Sequence, residues 1–481
     1  MRRSFVFALA LLSSAFLAAC GASTNSMTPT SGVPMSLTIR DTPPSGVAVL
    51  FFEASITGAS LQPSDSSKAA VAVLSAPVEV EFGHLQTDTA FLSLANVPPD
   101  TYASIQLTFG NAQLTIANHS GAAIGSCANN TVCQMTPNFN PSSATVSGAP
   151  FPITVDAQSV FGIKLDFNVN SSIQSMQNDL SINPAVTIAQ VTQRHDSDEG
   201  QEMEQLDEVE GQVTAVSTNQ FTLMNRRSGQ SFTVNVDGTT VFEEFERAGC
   251  TANPQDFTCI KMDQILQVKL SENGTGTMLA KRVEFVEDAS KQAIKGTITS
   301  VDSSTQFHMV VFKEEPDVNG ISEGSAVAVT INPNATFQVG RAELGEDGGF
   351  SNFGFNFATS ADLMVGQDVQ IRPGTVMSSG GVVTVTTDLV RLWPSQITGQ
   401  VGSIDSGKGT FTLTMLSPLF TGATPPVTTI TVQMLSGMDF EDFPSQASLA
   451  MGNTVSVKGL LFNTTGTPTL VTRIVSGHNG D

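Results

Sequence analysis

Short runs of alternating apolar and polar residues, separated by turn residues, make up most of the chain and predict strands. Met35-Ser36-Leu37-Thr38-Ile39 alternates and stops at Asp41-Thr42-Pro43-Pro44. Val47 to Ile56 is largely apolar, the pattern of a strand covered on both faces. Val78 to Phe82 alternates cleanly, and Val97-Pro98-Pro99-Asp100 is a turn before a second alternating run from Tyr102 to Phe109. Phe161 to Val169 and Ala185 to Ile188 read as closing strands. Turn signals at such short intervals predict a β-sandwich over residues 35–192.

Beyond residue 208 the pattern repeats. Gly211-Gln212-Val213 leads to Phe221-Thr222-Leu223, Gly296-Thr297-Ile298 to Phe307-His308-Met309, and Gly399-Gln400-Val401 to Phe411-Thr412-Leu413. Each unit then offers a second apolar strand (Phe232 to Val236, Val327 to Ile331, Val427 to Val432) and a phenylalanine after a turn (Phe242, Phe337, Phe440). The second and third units share a later turn and strand, Val365-Gly366-Gln367-Asp368-Val369 and Met451-Gly452-Asn453-Thr454-Val455. The first has only a degenerate form near Gln264 to Val268. Short strands near Val283, Val390 and Ile474 close the units. Such long repeats predict three small barrels, at 208–290, 291–394 and 395–478, rather than solenoid coils. The opening glycine of each fits a sharply bent first strand that a side chain would obstruct. Phe350, Phe353, Phe355 and Phe357, within a long insertion of the second unit, read as surface loop, or else as a strand or an exposed apolar edge. The fold class expected is therefore all-β: an N-terminal β-sandwich followed by three small β-barrel repeats. Abundant Val, Thr, Ser, Phe and Gly agree with it.

The first 34 residues are of another kind. Arg2-Arg3, an apolar stretch from Phe5 to Leu17, and Leu17-Ala18-Ala19-Cys20-Gly21 follow one another. The apolar stretch is too short to span a bilayer. This order resembles a bacterial lipoprotein signal. The resemblance implies cleavage after residue 19, lipidation of Cys20 and a membrane held through acyl chains. Gly21, where an aspartate would signal retention, points to the outer membrane, facing the periplasm or the cell surface. Residues 20–34 are a Ser/Thr/Pro/Gly tether.

The chain carries 22 Lys and Arg against 44 Asp and Glu. A surface so acidic repels phosphate backbones, which argues against nucleic acid as a partner. Eight of the 44 acidic residues lie in one stretch, His195 to Glu210, and residues 193–207 read as a solvated linker. Asp196, Asp198 and Glu199 are its weak calcium candidates. Their Asp-x-Asp spacing suits a hard cation, but the glycine and bidentate glutamate of a calcium loop are missing. No other cofactor is expected. Besides Cys20 there are two close cysteine pairs, Cys127/Cys133 and Cys250/Cys259. In an exported chain these read as two short-range disulfides.

Motifs that suggest catalysis lack their context. Gly320-Ile321-Ser322-Glu323-Gly324 has the spacing of a nucleophile elbow, but a β-type run follows where a helix is needed. Gly402 to Gly409 nearly matches a phosphate loop, yet Gly409 replaces the magnesium-binding hydroxyl residue and Thr-rich strand residues follow. Ser406 to Gly409 fits a hairpin turn better. None of His84, His119, His195, His308 and His478 has the i, i+4 partner of a zinc protease. Glu243, Glu244 and Glu246 read as loop beside a disulfide. No residue stands out as catalytic.

Two resemblances cover most of the chain after the tether. Leu37-Thr38-Ile39-Arg40-Asp41-Thr42-Pro43, Ile56-Thr57-Gly58 and Asp100-Thr101-Tyr102 through Leu107 resemble the domain of unknown function 4382. Thr42 and Asp100 stand where that family has alanine and glycine. The repeats resemble the domain of unknown function 5666, with its Gly-x-Val start and later Gly-x-x-Val turn. Both imply a β-rich exported protein and neither assigns catalytic residues. The function expected is a non-catalytic, envelope-anchored binding or scaffold module for a protein or carbohydrate ligand. The alternatives are a hydrolase acting on envelope or extracellular polysaccharide, and a calcium-dependent adhesion protein.

Overall fold

The computed structural model describes residues 32–42, 48–86, 90–157, 161–173, 181–191, 194–196, 200–202, 205–224, 231–272, 278–288, 292–315, 317–340, 354–441, 446–464 and 466–478. Cys20 and the expected leader lie outside them, as do Phe350 and Phe353. The fold is all-β.

Residues 33–191 form two facing sheets. Their strands are β1 (Val33–Thr42), β2 (Ala48–Pro63), β3 (Val71–Ala72), β4 (Val78–Glu81), β5 (Ala90–Val97), β6 (Asp100–Asn118), β7 (Thr131–Met135), β8 (Asn138–Phe139), β9 (Ser143–Val146), β10 (Ile153–Val155), β11 (Phe161–Asn168), β12 (Ser181–Ile182) and β13 (Val186–Val191). One sheet runs β13-β11-β1-β5, with β1 and β11 parallel. The other runs β10-β6-β2-β3, with β4 also on β2 and β7 and β9 on β6. A helical turn, α1 (Val169–Ile173), follows β11. The inward positions of the alternating runs meet in one core that includes Met35, Leu37 and Ile39 of β1, Phe52 and Ile56 of β2, and Leu107 and Leu114 of β6. The Phe82 and Phe167 rings meet in a tilted contact, 4.7 Å between centroids, beside Phe52. The single tyrosine, Tyr102, is buried and its hydroxyl donates to the Pro98 carbonyl, closing the Pro-Pro turn. The strand β1 starts at Val33, so the last residues expected to be tether already belong to the sheet.

The acidic segment differs from a bare linker. It contains a hairpin of β14 (Arg194–Asp196) and β15 (Gly200–Glu202), and β16 (Gln205–Ser217) begins inside it. Gln205 and Leu206 pair with Ser271 and Leu270, so the neighbouring strand draws acidic sequence into the ladder.

Three barrels follow. The first comprises β16, β17 (Gln220–Met224), β18 (Ser231–Asn235), β19 (Val241–Glu243), β20 (Gln264–Glu272) and β21 (Met278–Asp288). Its order is β18-β17-β16-β20-β21-β19, and β18 closes onto β21 through Val234 and Asn235. The second closes β22 (Ala293–Ser303), β23 (Gln306–Glu315), β24 (Ala326–Val339), β26 (Val382–Trp393) and β25 (Asp368–Ser379), in that order. The third closes β27 (Ser395–Asp405), β28 (Thr410–Thr414), β29 (Ile430–Glu441), β31 (Thr469–His478) and β30 (Thr454–Phe462). All follow one path, first-second-third-fifth-fourth, with third and fifth strands parallel. In the first barrel the third strand is split into β18 and β19. In the third barrel that strand starts at Ile430, later than expected, because the Val427 N–H is turned back to the Phe420 carbonyl.

The opening glycines sit where the first strand presses on the second. A Cβ on Gly211, Gly296 or Gly399 would lie 2.7, 2.6 or 2.8 Å from the carbonyl oxygen of Met224, Val310 or Thr414. Phe221, Phe307 and Phe411 fill equivalent interior positions and are buried.

The end of each barrel is sealed by one device. A 3-10 turn (Phe257–Cys259, Ser360–Asp362, Gln446–Ser448) is followed by a buried Ile260, Leu363 or Leu449. Three residues further on, a left-handed residue (Asp263, Gly366 or Gly452) donates its backbone N–H to the carbonyl of Val213, Ile298 or Val401. The next residue, Gln264, Gln367 or Asn453, uses its side-chain carbonyl to accept the N–H three residues back, at 2.7, 2.7 and 2.6 Å. The first repeat therefore keeps the turn, with Asp263 taking the backbone conformation that glycine takes in the others.

The modules pack on one another. Ala48, Leu50, Phe51 and Ala117 of the sandwich share a core with Val310 and Phe312 of the second barrel and Leu419 of a short helix, α2 (Pro418–Thr421), in the third. Phe91 of the sandwich meets Phe232 of the first barrel. Trp393, Ile265 and Val286 form a cluster between the first and second barrels. Phe357 is buried against Phe337, and Phe355 stacks on Phe462 of the third barrel. These two phenylalanines are therefore packing residues, not an exposed apolar edge.

Candidate functional site

Two features gather polar side chains: the outer faces of the barrels, and the junction where the sandwich meets the second and third barrels.

On the second and third strands of each barrel, the residues between the buried ones point outward. In the first barrel Thr222 pairs with Thr233, and Gln220 with Asn235. In the third, Thr412 pairs with Thr431, and Thr410 with Gln433. Gln212 and Gln400 stand beside them on the first strands. The segments 211–217, 220–224 and 231–235, and likewise 398–404, 410–414 and 430–435, contain no charged residue. Local bonds hold the hydroxyls in place: Thr412 Oγ1 accepts the Ser403 N–H at 2.9 Å, and Thr414 Oγ1 donates to the Gln400 carbonyl at 3.1 Å. The second barrel differs. His308 pairs with Ala328 there, and Val310 and Phe312 beyond it are covered by the sandwich.

The junction is built by the segment after β4. Glu81 Oε1 accepts the N–H groups of Phe52 and Gly83, and Oε2 lies 2.8 Å from His84 Nδ1. The His84 ring lies 4.0 Å from that of Phe312. Gln86 donates its backbone N–H to Gln396 Oε1 at 3.0 Å, and Gln396 Nε2 returns a bond to the His84 carbonyl at 2.6 Å. Thr398 Oγ1 donates to Gln86 Oε1. Behind this loop Asp368 is buried, accepts from Thr297 Oγ1 at 2.6 Å, and donates its N–H to Ser395 Oγ at 2.8 Å. Burial pushes the Asp368 carboxyl up to about 6; His84 and the Thr297 hydroxyl pull it down, and Glu81 pushes it up.

A second charged junction joins the first two barrels. Glu210 holds Lys295 at 2.8 Å and Lys313 at 2.6 Å, and Lys295 sits 4.0 Å from the Trp393 ring centroid.

The residues singled out in the sequence fall as follows. Cys127–Cys133 and Cys250–Cys259 are disulfides, tying the loop before β7 and the loop before the sealing turn of the first barrel. Asp196 ends β14, while Asp198 and Glu199 lie outside the described residues. Among the described residues no three His, Cys, Asp or Glu side chains gather to hold a metal ion. His119 stands in the turn after β6, 3.2 Å from Asn130 Oδ1, and His195 and His478 lie in β14 and at the end of β31. Glu243 and Glu244 face Arg282 and Arg247, and Glu246 accepts from Gln255.

The catalytic look-alikes have structural work. Gly324 of the elbow-like motif, at φ 77°, abuts Phe51, and its carbonyl accepts from the buried Thr115 hydroxyl at 2.6 Å, so the motif is a docking point for the sandwich. The phosphate-loop look-alike is the hairpin between β27 and β28. Ser300, Asp302 and His308 do assemble a serine, an acid and a histidine. Both Ser300 Oγ (3.2 Å) and Asp302 Oδ2 (2.8 Å) address the same nitrogen, Nδ1, and Ser300 also bonds Asp302. A catalytic relay needs the serine on the other ring nitrogen.

Residues 210–284, the first barrel, match the model of a family described as Domain of unknown function (DUF5666). No curated protein matches the chain. Among solved structures, one titled "drosophila Unr CSD456" aligns at 11% identity, covering 57% of this chain and 98% of that one, with a TM-score of 0.13. A likeness at that score has no bearing on fold or function.

Proposed function

We propose that this protein is a non-catalytic binding module of the bacterial envelope, tethered through Cys20 to the outer membrane, that displays its first and third barrels to neutral polysaccharide. The observation that carries this reading is the pair of hydroxyl and amide faces whose central strand segments hold no charged residue, in a chain with 44 acidic residues, with Asp263 and Asp405 standing at their rims. Neutral sugars are bound through hydrogen bonds to such groups, whereas protein interfaces favour aromatic, methionine and arginine centres. Small barrels of this kind offer the face of their second and third strands to extended ligands, an analogy of fold. The shared strand path and opening glycines support reading the second and third barrels as divergent copies of the first, and the sandwich as related to the domain of unknown function 4382.

Affinity electrophoresis of the full chain through gels containing a neutral glucan, or an anionic polysaccharide, tests the reading. Retardation by the neutral polymer, lost in a Thr222→Lys/Thr412→Lys double variant that keeps the parent's melting temperature, is the expected result. Equal mobility with and without every polymer refutes it.

A further inference from the structure

The outer end of the fourth strand is covered in two of the three barrels. In the first, Gln205 and Leu206 at the leading end of β16 pair with Ser271 and Leu270. In the third, Leu460, Leu461 and Phe462 are buried, and the Leu461 carbonyl accepts from Gln367 of the second barrel. In the second, β22 pairs with β25 only as far as Ile371, and among the described residues no strand lies on that side of β25 beyond it. We propose that this bare edge of β25 joins the same edge of a second copy of the chain, antiparallel, making one continuous sheet across a two-fold axis.

The β25–β26 ribbon presents this edge in a fixed position. β25 has 12 residues, against 9 in β20 and 9 in β30, so it stands out beyond its counterparts. Gly380 and Gly381, both left-handed, turn it tightly into β26. Pro373 and the irregular register around it interrupt the ladder at the base, and Val376 to Ser379 then pair regularly with Val385 to Val382. Val376 and Val383 pack on the core of the second barrel and hold the ribbon in place. The opposite face carries Met377 and Val382, 54% and 53% exposed. An edge strand leaves alternate backbone N–H and C=O groups without a ladder partner, and an identical strand running the other way supplies both.

Charge selects the partner. Residues 373–387 hold no charged side chain, and Arg372 and Asp388 at the base of the ribbon pair with each other at 3.7 Å. The chain as a whole has a formal net charge of −22. A cationic partner would be drawn to the acidic surfaces, whereas two copies repel except where acid is absent. A two-fold axis at Met377 sets the two Met377 side chains against each other on one face of the joined sheet. The regular edge is only Val376 to Ser379, so the interface is small and the dimer weak.

Sedimentation velocity of the full chain tests this, with Cys20→Ala so that no acyl chain contributes. It is run over about a hundredfold range of concentration in about 0.5 M salt, where repulsion between acidic copies is screened. The weight-average sedimentation coefficient should climb towards that of a dimer and no further, because a two-fold pair has used its edge. Met377→Lys, which sets two ammonium groups against each other, should melt like the parent and stay at the monomer value. Met451→Lys, at a methionine 69% exposed on the third barrel, should associate like the parent. A coefficient independent of concentration, a climb that survives in Met377→Lys, or one lost equally in Met451→Lys overturns the proposal. Should Met377→Lys fail to fold, Ser379→Lys on the same exposed face decides: loss of the climb supports the edge pairing, and an unchanged climb overturns it.

Discussion

At the scale of single residues, sterics and charge fix the outcome. A methyl group on Gly296 would sit 2.6 Å from the Val310 carbonyl oxygen, so β22 must move away from β23. Gly296→Ala should cost about 2–3 kcal/mol of stability in a urea titration, whereas Gly238→Ala, where a Cβ meets nothing within 4 Å, should cost little. Asp368 carries a pH signature. Its folded-state pKa is raised, so the protein is favoured below the ordinary carboxylate range and loses that advantage as pH rises to about 6. Asp368→Asn should therefore raise stability at pH 7 by about 3 kcal/mol and change it little below about pH 4, measured by denaturation at both pH values.

At the scale of elements, the strands were legible because period-two alternation is local. Met35, Leu37 and Ile39 read as inward from their spacing, and they are buried. The opening glycines and Phe221, Phe307 and Phe411 were legible because the repeat prints them three times. Of the sealing turns, Gly366-Gln367 and Gly452-Asn453 are legible as shared turns, but the 3-10 turn and the buried Ile260, Leu363 or Leu449 three residues before the left-handed residue are not. Asp263 in place of glycine hid the pattern in the first repeat. Gln367 shows what the turn is worth: its side chain bonds the Met364 N–H, the Asp362 carbonyl and the Leu461 carbonyl of the next barrel. Gln367→Ala should destabilise by about 2 kcal/mol, because buried backbone groups lose their partner, as seen in the thermal midpoint. The candidate faces were half legible. Thr222 and Thr412 were visible in the repeats, but their pairing with Thr233 and Thr431 follows only from register. The junction was not legible at all, since Gln86 and Gln396 meet across 310 positions of sequence.

At the scale of the molecule, the sandwich touches all three barrels, and it covers in the second the face that the first and third leave open. The ion cluster between the first two barrels places one carboxylate against two cations. Glu210→Gln should cost about 3 kcal/mol by leaving Lys295 and Lys313 without it, and should expose Trp393, read as a red shift of the single tryptophan's emission. The proposed anchoring is tested separately. Cys20→Ala should release the protein from the membrane fraction without altering its melting. The proposed function is to hold a neutral polysaccharide without transforming it, and calorimetric titration of the full chain with a neutral glucan tests this most directly. A saturable heat that returns to baseline after each addition, with no new reducing ends, is the predicted result. A steady heat of turnover with new reducing ends, or no heat with any neutral glucan, would contradict it.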